Sequence, residues 1–424
     1  MTELIAALIG AGARSRAAAA IAECRRIAAM SEEPGKTTRR FLTPPVAEVH
    51  AHLRARMAAL GMSVTVDGAG NLRGVWQPDA AISERLILGS HIDTVPDAGA
   101  FDGVLGVVLA LELVEIARNH SLALAIEVIA FSEEEGVRFG VPFLGSRAVA
   151  GRFDPALLDL RDSAGVSLAE SIRNFGLDPE EMDAAIVSDG AVGFLEIHIE
   201  PGPVLEAEGL QLGVVTGIVG QTRCEVSFTG QANHAGTTPM AHRQDALAAA
   251  AEWICAVEAT AKEHAAGEPG IVATVGKIIA EPNAGNVIAG NVRVSLDVRC
   301  ARDSVRESAV AKLLDQANAI AARRGLGCEV KRQMEQPAVP MDEQLTAFLT
   351  EAVEAAGFPA RQMPSGAGHD AMVMATRVPT AMLFLRSPGG ISHHPAEAVR
   401  EEDVEAALVA GALFLRRMGS IHRP

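Results

Sequence analysis

Short apolar runs alternate with helix-period stretches along much of the chain. Residues 85–91 form an apolar run of strand length that ends in Ser90 and His91, and 106–117 follow with helical spacing. The next run, 122–131, stops at Ser132-Glu133-Glu134-Glu135. Two more runs lie at 193–198 and 380–385. Runs of this length read as buried strands. Their alternation with helices predicts an α/β fold, a mixed sheet largely parallel at its centre and flanked by helices. In such sheets chemistry gathers beyond the carboxyl ends of the strands.

The pattern changes between 212 and 330. Stretches 214–228, 271–279 and 292–298 are strand-like, while 243–262 and 304–323 carry long helical spacing. That order predicts a small α+β sandwich inserted into the larger domain. The expected organisation is 1–211 and 331–424 as two parts of one domain, with 212–330 inserted.

Composition excludes several classes. Net charge is −16 over 424 residues, and an acidic surface repels phosphate backbones, so no nucleic-acid partner is expected. No run reaches about 18 apolar residues, so no membrane span is expected. The apolar stretch 4–9 is short and lacks a basic start, unlike a secretory leader. Cys24, Cys224, Cys255, Cys300 and Cys328 are scattered without a CxxC pair, which fits free buried thiols in a cytoplasmic protein. Tyrosine is absent, and the pattern offers no physical account of it.

The candidate chemistry lies after the strand-like runs. His91 closes one of them, and Asp93, two residues on, is placed to accept its second ring proton and fix the tautomer. Asp102-Gly103 reads either as a tight turn or as a carboxylate that bridges two metals. Glu133, Glu134 and Glu135 abut an apolar run. They are a solvated charge run, or they surround a cation with one acid as ligand and its neighbour as proton carrier. Glu196, His198 and Glu200 share one strand face and suggest a cleft wall. His393 and His394 follow Gly389-Gly390. As a set, these carboxylates and imidazoles match the oxygen and nitrogen preferences of zinc, manganese, cobalt or nickel.

With these motifs in place, the chain resembles the metallopeptidase-related amidohydrolases that include N-carbamoyl-L-amino-acid hydrolases, β-ureidopropionases and allantoate amidohydrolases. The markers are Gly89-Ser-His91-Ile-Asp93, Phe101-Asp-Gly103, Glu134-Glu-Gly136, Glu196-Ile-His-Ile-Glu200, Asn233-His-Ala-Gly236, Asn286-Val-Ile288, Arg299 and Gly390-Ile-Ser-His393. They run over nearly the whole chain. The resemblance implies a di-metal aminopeptidase-like catalytic domain and an inserted lid and dimerisation domain, hence a homodimer. It implies two divalent ions, one with His91 and His198, the other with Glu135 and His393, and Asp102 shared between them. It implies Glu134 as general base toward a metal-bridging hydroxide, with Asp93 behind His91. It also implies that His234 polarises the substrate carbonyl and that Asn286 and Arg299 hold the substrate carboxylate. Gln221 and His369 fall on motifs lining the same cleft. His394 is a rival to His393, because relatives often carry asparagine or serine there.

The implied reaction is hydrolysis of a linear carbamoyl or ureido amide on a small carboxylate. Arg40-Phe-Leu-Thr-Pro-Pro45 and Asp67-Gly-Ala-Gly-Asn71 lean toward allantoate; the core motifs fit N-carbamoyl-L-amino acids equally well. A dipeptidase or aminoacylase of the same superfamily is the alternative enzyme, and a non-catalytic binding protein that kept the fold is the alternative class. The Asn286–Arg299 pair argues against the first, and the intact ligand set with Glu134 against the second. The exact substrate and the native metal stay open.

Overall fold

The computed structural model describes residues 12–80, 82–119, 124–265 and 270–421. The stretch 4–9 and the first residues of the run at 122 lie outside them. Contacts divide the chain into two compact units, Met1–Thr216 with Pro340–Pro424, and Gly217–Val339. The strands are β1 (Ser63–Val66), β2 (Leu72–Trp76), β3 (Arg85–His91), β4 (Ala125–Phe131), β5 (Ala191–Ile199), β6 (Leu212–Ile218), β7 (Gly220–Thr229), β8 (Asn233–His234), β9 (Ile271–Thr274), β10 (Ile278–Glu281), β11 (Val287–Ile288), β12 (Asn291–Cys300), β13 (Gly327–Gln336), β14 (Val339–Pro340), β15 (Arg361–Ser365) and β16 (Thr380–Leu385).

In the first unit the sheet order is β1-β2-β4-β3-β5-β16-β6-β14, with β15 also paired to β6. The centre is parallel: β3 runs with β4 and β5, and β16 with β5. The flanks turn antiparallel, β2 against β4 and β6 against β16. Both faces of the central strands are covered, so they read as unbroken apolar runs instead of alternating ones; every residue of β4 and β16 is buried.

The helix Val104–Asn119 lies on β3 and β5 and is itself covered by the helices Ala13–Ala28 and Glu401–Ile421. This explains why it is apolar nearly all round. Gly106 allows its close approach, since a Cβ there would lie 2.2 Å from the Ile197 carbonyl oxygen. Among the described residues, no helix is long and apolar enough to cross a membrane.

The second unit has an antiparallel sheet of order β10-β12-β7-β13, with β9 also paired to β12. Burial alternates along β12, so one face is apolar and the other polar. Cys224, Val226, Phe228, Val292, Val294 and Leu296 belong to a core shared with Trp253 of the helix Ala246–Ala265 and Leu313 of the helix Asp303–Arg324. Trp253 Nε1 donates to the Leu313 carbonyl at 2.8 Å, which ties the two helices together.

Several edges differ from the sequence expectation; the strand-like stretch 271–279, for one, is divided between β9 and β10. The strand-like stretch 214–228 is two strands: β6 pairs with β16 in the large sheet, and β7 pairs with β12 in the small one. The units meet at 216/217 and 339/340, against 212 and 330 from the pattern, because β6 stays with the large sheet and β13 runs to Gln336. The helical stretch expected from 243 starts at Ala246, because the Asp245 carboxylate caps the N–H groups of Leu247 and Ala248. The five cysteines form no disulfide; Cys24, Cys224 and Cys300 are buried, but Cys255 is exposed.

One buried titratable group belongs to a helix and not to the strand ends that carry the chemistry. His50, in the helix Pro44–Ala59, is 5% exposed and packs edge-on to Phe175. Burial pushes its imidazole down to about 4. A folded-state pKa below the unfolded value gives stability that is complete above about pH 6.5 and is lost as pH falls through 4. The melting temperature of the wild type should therefore drop more steeply between pH 6.5 and 4 than that of His50→Leu. Parallel pH profiles from calorimetry would count against this.

Candidate metal centre

Two histidines converge at the carboxyl ends of β3 and β5. His91 Nδ1 donates to the Asp93 backbone carbonyl at 3.0 Å, and His198 Nδ1 donates to the Ile199 carbonyl at 2.8 Å. A carbonyl can only accept, so each Nδ1 carries the proton and each Nε2 turns its lone pair inward. The two Nε2 atoms are 3.4 Å apart. Asp102 Oδ1 lies 3.1 Å from His198 Nε2 and 3.7 Å from His91 Nε2. Three inward lone pairs need a cation between them, either an added proton or a metal ion. Ligands at about 2.0–2.1 Å in a tetrahedral arrangement sit roughly 3.3–3.4 Å from one another, and the three separations here, 3.1, 3.4 and 3.7 Å, bracket that spacing.

Asp102 uses its second oxygen elsewhere. His393 Nε2 is 3.2 Å from Asp102 Oδ2 and 3.2 Å from Glu135 Oε1, and Ser392 Oγ donates to the same Oδ2 at 3.0 Å. One carboxylate therefore faces two separate donor sets: His91 with His198, and Glu135 with His393. The donor chemistry of both sets fits a divalent ion of the zinc, manganese, cobalt or nickel kind. Burial would raise the Asp102 pKa, but the imidazoles of His198, His393 and His91 gathered on the carboxylate hold it well below the usual carboxylate range. Hydrogen bonds to Asp102 and Glu135 raise His393 to about 10 against its partial burial.

The backbone near these ligands is specialised. Gly103 has φ +66°, and a Cβ there would lie 2.5 Å from the His91 ring. His393 itself has φ 57°, in the left-handed region. The loop separates the two adjacent imidazoles, both exposed: His393 faces Asp102 and Glu135, while His394 turns to its own loop, with Nδ1 accepting the Ala396 N–H at 3.0 Å.

The acidic run splits three ways. Glu133, with φ 48°, is fully buried and accepts the N–H groups of Phe41 and Arg138 at 3.0 and 2.8 Å. Glu135 joins His393. Glu134 is 7% exposed and offers an oxygen within 4.8 Å of both a His91 nitrogen and a Glu135 oxygen. Burial raises its pKa well above the ordinary value. His91 opposes that rise, and Glu135 and Asp370 add to it.

Asp93 is placed differently from the sequence expectation. The backbone carbonyl, not the carboxylate, accepts the His91 ring proton. The carboxylate accepts the N–H groups of Glu134 and Glu135 at 2.9 and 3.0 Å. It thereby fixes the acidic loop while its backbone fixes the imidazole. Glu196, which offers an oxygen within 4.8 Å of His198 and His369 nitrogens, and Glu200 are both also tied to structural partners. Glu196 accepts Ser90 Oγ and the Ala371 N–H, and Glu200 caps the short helix Val204–Glu208 through the Val204 and Leu205 N–H groups. His369 is 2% exposed, with Nε2 at 3.0 Å from Ser365 Oγ and its ring 4.5 Å from that of His198. Burial, then His198, hold its pKa well below the ordinary value.

Several supporting residues escaped the sequence reading. Asn71 Oδ1 accepts the Ser132 N–H at 3.0 Å, and its Nδ2 donates to the Gly145 carbonyl at 3.1 Å. The Asp67–Asn71 motif that leaned toward allantoate thus buttresses the acidic loop. Ser392 and Glu397 act on Asp102 from the far end of the chain. Their signal was the Ser-His and Pro-x-Glu spacing around His393, which nothing in the local pattern ties to Asp102.

In the second unit, β8 pairs His234 with Val287, beside Asn286. His234 is exposed, and its Nδ1 accepts the Gly236 N–H at 3.0 Å. Arg299 and Gln221 are register partners on β12 and β7. Both reach Asp297: Arg299 through Nε and Nη2 at 3.1 Å each, Gln221 through Nε2 at 2.6 Å. Arg223 Nε joins them at 3.0 Å.

Comparison with known proteins places these residues in context. The model of peptidase family M20/M25/M40 matches residues 87–417. An allantoate deiminase of Arabidopsis thaliana is 38% identical over 93% of this chain and 81% of its own length. An N-carbamoyl-L-amino acid amidohydrolase of Geobacillus stearothermophilus is 38% identical over 87% of this chain and 90% of its own. Among solved structures, an amidase of the hydantoinase/carbamoylase family from Burkholderia multivorans aligns with TM-score 0.88 and 33% identity, covering 95% of this chain and 97% of that one.

Ion binding should stabilise the fold through these donors. With free ion a hundredfold above Kd, the linkage is worth about 2.7 kcal/mol. Adding Zn²⁺ or Mn²⁺ to chelator-stripped protein should raise the melting temperature of the wild type and leave Asp102→Ala nearly unmoved. Equal shifts in both proteins would contradict the assignment.

Proposed function

The chain belongs to peptidase family M20/M25/M40, and from that premise we propose that it hydrolyses the C–N bond of a linear ureido or carbamoyl amide on a small carboxylate. Allantoate and N-carbamoyl-L-amino acids are the two substrate classes named by its relatives. The observation that carries the reading is Asp102, whose two oxygens face two donor sets with buried Glu134 beside them.

We assign two ions to the centre, one among His91, His198 and Asp102, the other among Glu135, His393 and Asp102. Bound there, divalent ions supply Lewis acidity toward the scissile carbonyl and acidify water. The side chains do the rest. Glu134 accepts a proton from the attacking water and delivers it to the leaving nitrogen. The hydrogen bonds from Glu134 N–H and Glu135 N–H to Asp93 keep base and ligand at fixed spacing.

Substrate selection belongs, in this reading, to the second unit. Arg299 takes the substrate carboxylate with Asn286, and His234 polarises the carbonyl. Asp297 orients Arg299 for that task, and Gln221 supports Asp297. A homodimer formed through this unit and a cytoplasmic setting complete the proposal.

Two variants separate the roles. Glu134→Gln should keep full metal content while kcat falls about 10²–10⁴-fold; near-normal turnover would refute the base. Arg299→Ala should lower kcat/KM for carboxylate substrates about 10–100-fold, mainly through KM, since a charge-assisted hydrogen bond is worth roughly 1.5–3 kcal/mol. The substrate class is read from ammonia release on a panel of allantoate, N-carbamoyl-β-alanine and N-carbamoyl-L-amino acids. Dipeptides and N-acetyl amino acids serve as controls; preference for these would favour the dipeptidase or aminoacylase alternative.

A further inference from the structure

Asp102 precedes the helix Val104–Asn119, and the order of its backbone is set from the opposite end of the chain. Glu397 is 6% exposed, and its Oε1 accepts two N–H groups, those of Phe101 at 2.8 Å and Asp102 at 3.0 Å. Gly99 lies against the same carboxylate: a Cβ there would fall 2.3 Å from Glu397 Cβ and 2.5 Å from its Oε1. The segment before the ligand is thus shaped around Glu397.

The loop that carries Glu397 touches Asp102 twice more. Ser392 Oγ donates to Oδ2 at 3.0 Å, and His393 Nε2 lies 3.2 Å from the same oxygen. The loop is braced internally, because Glu397 N–H donates to the His394 carbonyl at 2.9 Å and Ala396 N–H to His394 Nδ1 at 3.0 Å. This gives the exposed His394 a structural task.

We propose that Glu397 is the positioning residue of the shared carboxylate, and that residues 392–397 clamp Asp102 by its backbone through Glu397 and by its Oδ2 through Ser392. The proposal rests on the reading that this centre holds metal. Its consequence differs from that of an ordinary ligand. Loss of His393 removes a donor from one set only. Loss of the clamp releases Asp102, which belongs to both sets, so both ions should weaken together. What matters is an acceptor for two N–H groups, so an amide oxygen should serve in place of the carboxylate.

The test is a calorimetric titration of Mn²⁺ into chelator-stripped, full-length protein, with metal content measured in parallel. Glu397→Met keeps the length of the side chain but removes the acceptor, and should weaken both binding steps about tenfold or more. Glu397→Gln should stay within about threefold of wild type, and Ser392→Ala should weaken binding severalfold. His393→Ala should lose one step and keep the other. The proposal is overturned if Glu397→Met binds with wild-type affinity or weakens one step only, or if Glu397→Gln is as weak as Glu397→Met. If Glu397→Met does not fold, Ser392→Ala decides, and wild-type affinity there overturns the clamp. Failure of the wild type to take up Mn²⁺ or Zn²⁺ would instead refute the underlying reading of a metal centre.

Discussion

The two oxygens of Asp102 face two groups of potential ligand atoms crowded into one partly buried site. Oδ1 meets the inward Nε2 atoms of His91 and His198, and Oδ2 lies near His393 beside Glu135. Such a cluster repels itself unless positive charge lies within it, and burial strengthens the repulsion by removing water. Because both imidazoles already donate Nδ1–H to backbone carbonyls, a ring flip or tautomer change would sacrifice a buried hydrogen bond on each side. The arrangement is therefore held against relaxation, as a preorganised cation site must be.

The fold supplies that resistance layer by layer. Parallel strands β3, β4 and β5 deliver His91, the acidic loop and His198 to one end of the sheet. Asp93 then fixes the acidic loop, Asn71 fixes its first residue, and Glu397 fixes the segment that carries Asp102. Gly103 and Gly106 allow the His91 ring and the buried helix to approach where a Cβ could not fit. The second unit keeps its own polar cluster, with Arg299, Arg223 and Gln221 sharing Asp297.

The central strands were legible because burial on both faces leaves long apolar runs, and β3, β5 and β16 end close to where those runs do. His91, Asp102, Glu135, His198 and His393 stood out as a set, because their combined oxygen and nitrogen donors suit a divalent ion, whereas each motif alone has a bland reading. The supporting contacts were not legible, because each joins segments far apart in sequence. Glu397 reaches Asp102 across 295 residues, and Asn71, just ahead of β2, meets Ser132, just past β4, across 61. Asp93 was misjudged for a local reason. Two residues after a histidine, either its carbonyl or its carboxylate can reach the ring, and only the position of the acidic loop decides between them. Glu196 and Glu200 share a strand face with His198 as expected, but their partners come from Ser90, Ala371 and the helix that starts at Val204.

The central claim is that Asp102 joins two cation sites into one centre. Anomalous diffraction from crystals of the Mn²⁺- or Zn²⁺-loaded protein tests it most directly. Two peaks are expected about 3.5–4 Å apart, with one oxygen of Asp102 toward each, His91 and His198 on one ion and Glu135 and His393 on the other. Peaks that leave Asp102 uncoordinated, or a single ion that draws ligands from both sets, would contradict it.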